Sequence, residues 1–299
     1  MIKVSVIITT YGNPVFLEKC IESVFNQSLK DIELIIVDDN DSDTEARFLT
    51  EKTVDNFIKS ERNITYLKHE FNQNGAAARN TGIAVASGKY ISFLDNDDEY
   101  HVDRLHKCYE VMEMSDETVA GVYTGCELKR NEKTYHILKN VLEGNFLKET
   151  LACTFKFSTG SNIFVRKSVV NELNAFDIQF LRHQDYEFLV RLFQKYSLKA
   201  IPEVLVIKNN ENFNLPNVYK MIEIKEQFLS KFSSIIKRLE VNEQKYIYHS
   251  HYISIAEHGL RTKEFKISSK YYLKAKDYGA LTLKNRYRKV IFTILNYIK

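Results

Sequence analysis

The segment YISFLDNDDEY, residues 90–100, passes from an apolar half into an acidic half. Its first five residues are mostly apolar and β-prone, which predicts a buried strand. Asp95, Asn96, Asp97 and Asp98 follow at once. Neighbouring carboxylates repel one another, and Mg²⁺ or Mn²⁺ prefers such oxygen ligands and commonly bridges a protein carboxylate and substrate phosphates. The segment therefore predicts either a metal site at a strand end or a solvated acidic turn.

Upstream of this segment, apolar β-prone runs alternate with runs of helical periodicity. Strands are predicted at residues 3–9, 33–37, 64–68 and 90–94, with helices at 14–27, 45–59 and 75–86. Ser42 and Glu45 are predicted to form the capping box of the second helix. The small residues of the third helix would allow close packing on a sheet. This alternation predicts an α/β fold with a parallel, doubly wound sheet.

Polar side chains follow three of these strands at the point where each strand ends. They are Thr9, Thr10 and Tyr11 after the first strand, Asp38 and Asp39 after the second, and Asp95, Asn96 and Asp97 after the fourth. Because ligands of open α/β sheets bind at the carboxyl ends of the strands, we expect these side chains to surround one site.

Beyond residue 100 the pattern is less regular. It predicts a helix at 102–114, a strand at 119–124, a hairpin within 126–139, a turn and short strand at 158–166, a helix after 185 and strand material at 198–207. Together with the upstream half, these elements predict one α/β domain over residues 1–208.

The segment NNENFNLPN, residues 209–217, is a polar linker that begins a C-terminal helical region, residues 209–299. One long amphipathic helix is predicted at 217–240, and it would pack on its own body or on a second copy of the chain as a homodimer. Shorter helices are predicted at 243–258 and 263–278. Gly259 and Gly279 are their predicted C-terminal stops.

Composition excludes several classes of protein. The net charge of +3 is small for 299 residues and argues against a nucleic-acid partner. The four cysteines form no CxxC pair, so neither a zinc knuckle nor a disulfide framework is predicted. We find no signal-peptide pattern and no apolar run of the ~20 residues that a membrane span needs. These features predict a cytoplasmic protein.

Residues 284–299, KNRYRKVIFTILNYIK, combine basic and aromatic side chains. Such a segment suits a helix that lies on anionic lipid, here at the inner face of the cell membrane. A helix docked on the body of the protein is the alternative.

Two segments carry a resemblance to a known family. VSVIITTYGNPVFLEKCIESVFNQSLKDIELIIVDDNDSD, residues 4–43, and NGAAARNTGIAVASGKYISFLDNDD, residues 74–98, resemble the inverting glycosyltransferase family 2, which has the GT-A fold. The resemblance is strong over residues 3–100 and looser to about residue 205. It implies that residues 1–208 form a GT-A catalytic domain with a mixed sheet. It also implies a nucleotide-sugar donor, a divalent cation (Mn²⁺ or Mg²⁺) and transfer with inversion at the anomeric carbon.

The same resemblance assigns residues to the donor. It places Thr9, Tyr11 and Asp39 at the nucleoside and Arg79 near the phosphates. A carboxylate can accept the imide N–H of uracil and a tyrosine can stack on the base. A carboxylate can also accept the N–H pair of guanine, so UDP is preferred and GDP stays open.

The acidic motif of the family corresponds to Asp95-Asn96-Asp97. The resemblance implies that Asp97 coordinates the metal ion directly, and that Asp95 contacts the ribose or a metal-bound water. Asn96 belongs to the same donor site, and Asp98 is expected to orient the loop.

Inverting transfer also needs a general base for the acceptor hydroxyl. The Glu-Asp pair common in the family reads Gln184-Asp185 here, so Asp185 keeps the role of base and Gln184 adds no second charge. Gly160, Ser161 and Asn162 match the family's turn beneath the acceptor site. Gln184 can hydrogen-bond the acceptor or the backbone, so it is predicted to belong to the same acceptor site. The acceptor expected is a saccharide or a lipid-linked saccharide in surface polysaccharide synthesis.

Two other functions stay open at this level. A sugar nucleotidyltransferase would need a glycine-rich basic loop after the first strand, and TTYGNPVF has one glycine and no lysine. A non-catalytic nucleotide-sugar-binding or assembly protein would not need Asp185. A Rossmann dehydrogenase is disfavoured because no GxGxxG follows the first strand.

Overall fold

The computed structural model describes residues 1–12, 14–59, 64–139, 141–209 and 216–281. Within it the chain forms two compact units. The first comprises Met1–Asn145 and Lys156–Phe213, and the second comprises Phe146–Phe155 and Asn214–Lys299. The segment 146–155 thus packs with the C-terminal helices, which no pattern in the sequence indicated. The functional division at residues 208 and 209 stays a prediction.

The strands of the first unit form one mixed sheet. They are β1 Val4–Thr10, β2 Ile32–Asp38, β3 Ile64–Lys68, β4 Tyr90–Asp95, β5 Asp98–Tyr100, β6 Val119–Arg130, β7 Lys133–Leu138, β8 Phe164–Arg166 and β9 Ser197–Asn209. The helices of this unit are α1 Leu17–Phe25, α2 Glu45–Lys59, α3 Gly75–Val85, α4 Arg104–Glu113, α6 Lys167–Glu172 and α7 Gln184–Phe193. The second unit contains α5 Leu147–Leu151, α8 Val218–Lys231, α9 Ser233–Ile236, α10 Val241–Arg261 and α11 Phe265–Lys276.

The predicted parallel half of the sheet is confirmed. Strand order is β3-β2-β1-β4-β8-β6-β9-β5, with β7 paired to β6 outside this order, and the first four strands are mutually parallel. In this register Thr9 lies opposite Asp95 on one side and Val37 on the other, while Thr10 lies opposite Asp38. The carboxyl ends of β1, β2 and β4 therefore meet at one edge, as the polar loops predict.

The helix α3 packs closely on β1, as its small residues predict. A Cβ atom at Gly82 would lie 2.5 Å from Cγ2 of Ile7, which is far inside van der Waals contact. Only glycine lets the helix approach the sheet this closely.

The second half of the sheet fixes the acidic segment from both ends. β8 runs antiparallel to β4 and β6, and β5 runs antiparallel to β9 with Asp98 opposite Lys208. Asp95 ends β4 in the middle of the sheet, while Asp98 begins β5 at its far edge. The short loop between them is thereby held by two different strand pairings.

The capping prediction for α2 is wrong. The hydroxyl of Thr44 accepts the backbone N–H of Arg47 at 3.2 Å, so Thr44 caps the helix. Ser42 instead donates to the carbonyl oxygen of Glu70 at 2.8 Å, which ties the loop after β2 to the loop after β3.

The helical unit also differs from prediction. The expected single helix over 217–240 is interrupted after Lys231, where Phe232 turns inward and packs on Phe228 with ring centroids 5.0 Å apart. Gly259 does not stop a helix, because α10 continues to Arg261. A Cβ at Gly259 would lie 3.2 Å from the carbonyl oxygen of Glu264, so glycine there permits the close return of the chain.

The tail, residues 284–299, and most of the predicted linker lie outside the described residues. No helix in the described part of the chain is both long enough and apolar enough to cross a membrane.

Candidate active site

A cavity of about 610 Å³ opens at the carboxyl edge of the parallel strands in the first unit. This volume is within the range of about 300–1,000 Å³ for small-molecule sites. The predicted site residues that line it are Thr9, Tyr11, Asp39, Arg79, Asp95, Asn96, Asp97 and Gln184. Gly160, Asn162 and Asp185 are not among its lining residues.

The lining of the cavity includes an aromatic ring and a carboxylate that follow β1 and β2. Tyr11 is 63% exposed, whereas Asp39 is buried. The Asp39 carboxylate accepts hydrogen bonds from Asn72 Nδ2 at 2.8 Å and from the backbone N–H of Gln73 at 2.8 Å. Its Oδ1 also lies 2.6 Å from His69 Nδ1. These contacts hold the Asp39 carboxylate in place, and the Tyr11 ring in the lining of the same cavity can stack on a flat ligand.

The side chain of the neighbouring Asp38 makes its contacts inside the protein. It is fully buried, and its carboxylate accepts hydrogen bonds from Tyr66 at 2.7 Å and Asn40 Nδ2 at 2.8 Å. Arg47 lies 3.4 Å away as its counterion. Of the acidic pair after β2, only Asp39 faces the cavity.

Asp95, Asp97 and Asp98 form an acidic cluster whose oxygens lie within 4.8 Å of one another. The set consists of hard carboxylate ligands, which suit Mg²⁺ or Mn²⁺. Asp98 Oδ1 is buried and makes no hydrogen bond in the described structure. An unsatisfied buried oxygen in such a cluster fits a cation that completes it.

The pKa values of the three carboxyl groups are shifted by burial and by neighbouring charges. Asp97 is exposed at the cavity, yet the protein packed around the cavity partly desolvates its carboxylate and raises its pKa to about 6, and the charge of Asp95 adds to this rise. Burial raises the pKa of Asp98 to about 8, although Lys208 opposes the change. Burial also acts on Asp95, but the charges of Arg79 and Lys208 outweigh it, so the pKa of Asp95 is lowered.

Two residues at the end of β9 interact with the acidic segment between β4 and β5. Burial alone would lower the pKa of Lys208. The charges of Asp98, Asp95, Asp97 and Asp185 outweigh burial, so the pKa of Lys208 is raised. The side chain of the next residue, Asn209, donates to the carbonyl oxygen of Asp97 at 2.9 Å.

Arg79 joins the acidic cluster to the helix that carries the predicted base. Its Nη2 donates to Asp95 Oδ1 at 2.7 Å and its Nη1 donates to Gln184 Oε1 at 2.9 Å. The guanidinium is almost fully buried. Because Gln184 is the first residue of α7, this bridge fixes the start of that helix relative to the end of β4.

Asp185 follows in the first turn of α7, where the helix dipole favours a negative charge. Burial raises the pKa of Asp185, and Arg79 counteracts part of that rise. Its Oδ1 is buried and without a hydrogen bond in the described part of the chain. A Cβ at Gly160 would lie 2.7 Å from this oxygen, so the glycine provides the space that the carboxylate occupies.

The turn after Gly160 braces the site rather than opening toward the cavity. Ser161 donates to Asp98 Oδ2 at 2.6 Å and accepts the backbone N–H of Asp95 at 2.9 Å. Asn162 is fully buried, donates to the carbonyl oxygens of Thr124 and Phe157, and accepts the backbone N–H of Thr124 at 2.9 Å. Contact of Asn162 with an acceptor stays a prediction.

Sequence reasoning missed His69, Asn72 and Lys208. The first two follow β3, and the rule applied to the other strand ends would have found them, because the carboxyl end of β3 lies at the same edge. Lys208 carries no such signal, since only the pairing of β5 with β9 brings it opposite Asp98.

Solved structures define the class of fold. A mannosyltransferase from Pyrobaculum calidifontis in complex with GDP-Man and Mn²⁺ superposes with a TM-score of 0.59 at 14% identity, over 97% of this chain and 84% of that one. S. aureus TarS 1–349 in complex with UDP superposes with a TM-score of 0.55 at 15% identity, over 94% of this chain and 93% of that one. The fold is the GT-A fold, as predicted.

The chain belongs to glycosyl transferase family 2, whose model matches residues 5–173. It is a glycosyltransferase, and the predicted resemblance is confirmed. An uncharacterized glycosyltransferase of Methanocaldococcus jannaschii is 31% identical over 226 residues, which are 70% of this chain and 72% of that protein. The amylovoran biosynthesis glycosyltransferase AmsB of Erwinia amylovora is 32% identical over 199 residues, or 64% of each chain.

Proposed function

We propose that this protein moves a sugar from a nucleotide-sugar donor, by preference a UDP-sugar, to a saccharide or lipid-linked saccharide, with inversion at the anomeric carbon. The observation that carries the proposal is the Arg79 bridge. One buried guanidinium holds Asp95 of the acidic cluster and Gln184, the residue before the base, at 2.7 and 2.9 Å. This bridge supports the proposal because it would keep the proposed donor-binding and acceptor-activating groups in a defined relative position.

The donor occupies the cavity in this proposal. Tyr11 stacks on the base, Asp39 accepts its N–H group, and Asp95 with Asn96 contacts the ribose side. Asp97 and its acidic neighbours would hold a divalent cation, which would neutralise charge on the diphosphate leaving group. One protein of similar fold was solved with UDP and another with GDP-Man. The identity of the nucleotide is therefore a matter for experiment.

Asp185 receives the proton of the acceptor hydroxyl. The acceptor oxygen forms the new bond to the anomeric carbon as the bond from that carbon to the phosphate oxygen breaks, and the nucleoside diphosphate leaves. Attack from the face opposite the leaving group inverts the configuration. A raised pKa and an oxygen without a hydrogen bond in the described chain suit Asp185 to this task.

The cellular setting follows from the acceptor. We place the enzyme in the cytoplasm at the inner face of the cell membrane, with residues 284–299 as the lipid contact, in surface polysaccharide synthesis. The polysaccharide role of the Erwinia relative supports this setting. Deleting residues 284–299 should reduce sedimentation with anionic vesicles, and unchanged sedimentation would favour a tail docked on the body.

The test of the donor site is a thermal-shift screen of nucleoside diphosphates with and without Mn²⁺. Selective binding to the folded state raises the melting temperature by mass action. We expect UDP to raise it more with Mn²⁺ than without, and the metal-dependent part to vanish in Asp97→Ala. An unchanged Mn²⁺ effect in that variant would reject the metal role of Asp97, and no response to any nucleotide would reject the donor site.

A further inference from the structure

Arg104, the first residue of α4, is a buried cation that pairs with no acid. Its side chain is fully buried, and its contacts in the described part of the chain include no carboxylate. Burying a charge in this way is costly, and an apolar side chain of similar volume would fill the space without that cost. The guanidinium is therefore explained by its hydrogen bonds rather than by packing.

The contacts of Arg104 join three elements next to the acidic cluster. Its Nη1 donates to Ser92 Oγ on β4 at 3.2 Å, and its Nη2 donates to the carbonyl oxygen of Ser161 at 3.1 Å. Its Cζ lies 4.2 Å from the centre of the Tyr100 ring at the end of β5, which is a cation–π contact. Arg104 thus fastens the turn Gly160–Asn162 to the strands that precede and follow the acidic loop.

Ser161 extends this connection to the carboxylates. While its carbonyl accepts from Arg104, its hydroxyl donates to Asp98 Oδ2 at 2.6 Å and accepts the backbone N–H of Asp95 at 2.9 Å. The Thr159 hydroxyl, just before the turn, donates to the same Asp98 oxygen at 3.0 Å. These bonds fix one oxygen of Asp98, and its buried Oδ1 has no hydrogen bond within the described residues and remains available for a cation.

We propose that Arg104 is a positioning residue of the metal site, a role that rests on the proposed binding of a divalent cation at Asp97. Arg104 holds the Ser161 turn against β4 and β5, and the turn holds Asp95 and Asp98 in the arrangement that the cation requires. Mg²⁺ in particular demands near-ideal octahedral geometry, so ligands that are fixed before it binds favour binding. Side chains that orient metal ligands in this way typically contribute about 10- to 100-fold to metal affinity.

The test is Mn²⁺ binding to the full chain in saturating UDP, measured by electron paramagnetic resonance of the free ion. Arg104→Lys keeps the positive charge, but a single ammonium nitrogen does not reproduce the planar fork that spans Ser92 and Ser161. We expect this variant to bind Mn²⁺ about 10- to 100-fold more weakly than the wild type.

The matched control is Arg166→Lys. Arg166 is also buried, its Cζ lies 5.7 Å from the centre of the Tyr90 ring, and it donates to the carbonyl oxygens of Val119 and Ser115 at 2.9 Å. It pairs with Tyr90, at the opposite end of β4 from Asp95. Its replacement should therefore leave Mn²⁺ affinity at the wild-type value, although it perturbs the fold in a similar way. Equal losses in the two lysine variants would overturn the proposal.

Ser161→Ala tests the next link, because it removes the hydroxyl and keeps the carbonyl that accepts from Arg104. It also keeps the proposal falsifiable if Arg104→Lys does not fold. We expect Mn²⁺ affinity to fall about tenfold in this variant. Because Arg104 acts through Ser161, the double variant should lose little more than Ser161→Ala alone. Additive losses, or wild-type affinity in either single variant, would contradict the proposal.

Asp97→Ala separates this outcome from the proposed function. Mn²⁺ binding that depends on Asp97 but not on Arg104 would reject the positioning role and leave the metal site intact. Mn²⁺ binding that is equal in Asp97→Ala and in the wild type would reject the metal site itself, and the positioning role with it.

Discussion

Asp185 combines the properties that a general base needs. Its pKa is raised by burial and moderated by Arg79, and its Oδ1 makes no hydrogen bond within the described residues. Asp185→Asn should therefore lower the rate of transfer about 10²- to 10⁴-fold while nucleotide affinity stays close to wild type. Initial rates and nucleotide titrations measure the two effects, with the exposed Asp55→Asn as control. Turnover near the wild-type rate would remove Asp185 as the base.

Gly160 acts through the space that it leaves for Asp185. A methyl group there would lie 2.7 Å from the carboxylate oxygen, so Gly160→Ala should displace Asp185, the proposed base. We expect kcat to fall at least about tenfold, since small displacements of reacting groups are costly, with donor affinity retained. An unchanged kcat would show that the carboxylate moves without consequence.

At the scale of single residues, strand ends were the informative signal. Thr9, Asp39, Asp95 and Asp97 were each predicted from a position after a β-strand, and all line one cavity. Asn162 illustrates the limit of this reasoning, because its amide is engaged by Thr124 and Phe157 and sequence alone does not show which neighbours a buried amide meets.

Secondary-structure elements were predictable where the hydrophobic periodicity is regular and where the elements that pack together are neighbours in the sequence. The strand and helix alternation up to β4 was found almost entirely, since each parallel strand is followed by its own helix. The pairing of β5 with β9 was not predictable, because it joins segments more than 100 residues apart. The break after α8 was missed because Phe232 fits the helical spacing of the apolar residues before it, although the helix ends at Lys231.

The contact of α3 with β1 gives a prediction at this scale. In an exposed helix, replacing glycine by alanine stabilises the fold by about 1 kcal/mol. At Gly82, however, the added methyl group would lie 2.5 Å from Cγ2 of Ile7. Gly82→Ala should therefore cost about 1–3 kcal/mol of stability through overpacking. Urea denaturation measures the change, with Val85→Ala on the exposed face of α3 as control. A stabilised variant would contradict the close packing.

For the molecule as a whole, the sequence predicted a GT-A unit and a helical C-terminal region, but it did not predict that residues 146–155 pack with the helices. His251 of α10 makes part of that connection, because its Nε2 donates to the carbonyl oxygen of Leu151 at 2.8 Å. Short polar contacts of this kind leave no pattern in sequence.

His251 also predicts how stability depends on pH. Burial, aided by the charge of Lys225, lowers the pKa of His251 to about 3, against 6.5 in the unfolded chain. The unfolded state binds the proton first, so this contribution to stability is present above pH 6.5 and is lost as the pH falls toward 3. The loss amounts to about 1.4 kcal/mol per pH unit for one such group.

The matched variant is His251→Gln, which keeps a donor but does not titrate. Its stability should fall less steeply than that of the wild type between pH 6 and pH 4. His106→Gln on the surface of α4 is the control. Equal slopes for wild type and His251→Gln would contradict a neutral, buried His251.

The central claim is that a cation beside Asp97 binds the diphosphate of the same donor molecule whose sugar faces the carboxylate of Asp185. The most direct measurement is a crystal structure of Asp185→Asn with an intact nucleotide-sugar donor and Mn²⁺, located by its anomalous signal. The account predicts a manganese peak that contacts Asp97 and the donor diphosphate, with the side chain at position 185 facing the anomeric carbon from the opposite side. Manganese bound elsewhere, or a sugar beyond the reach of position 185, would contradict it.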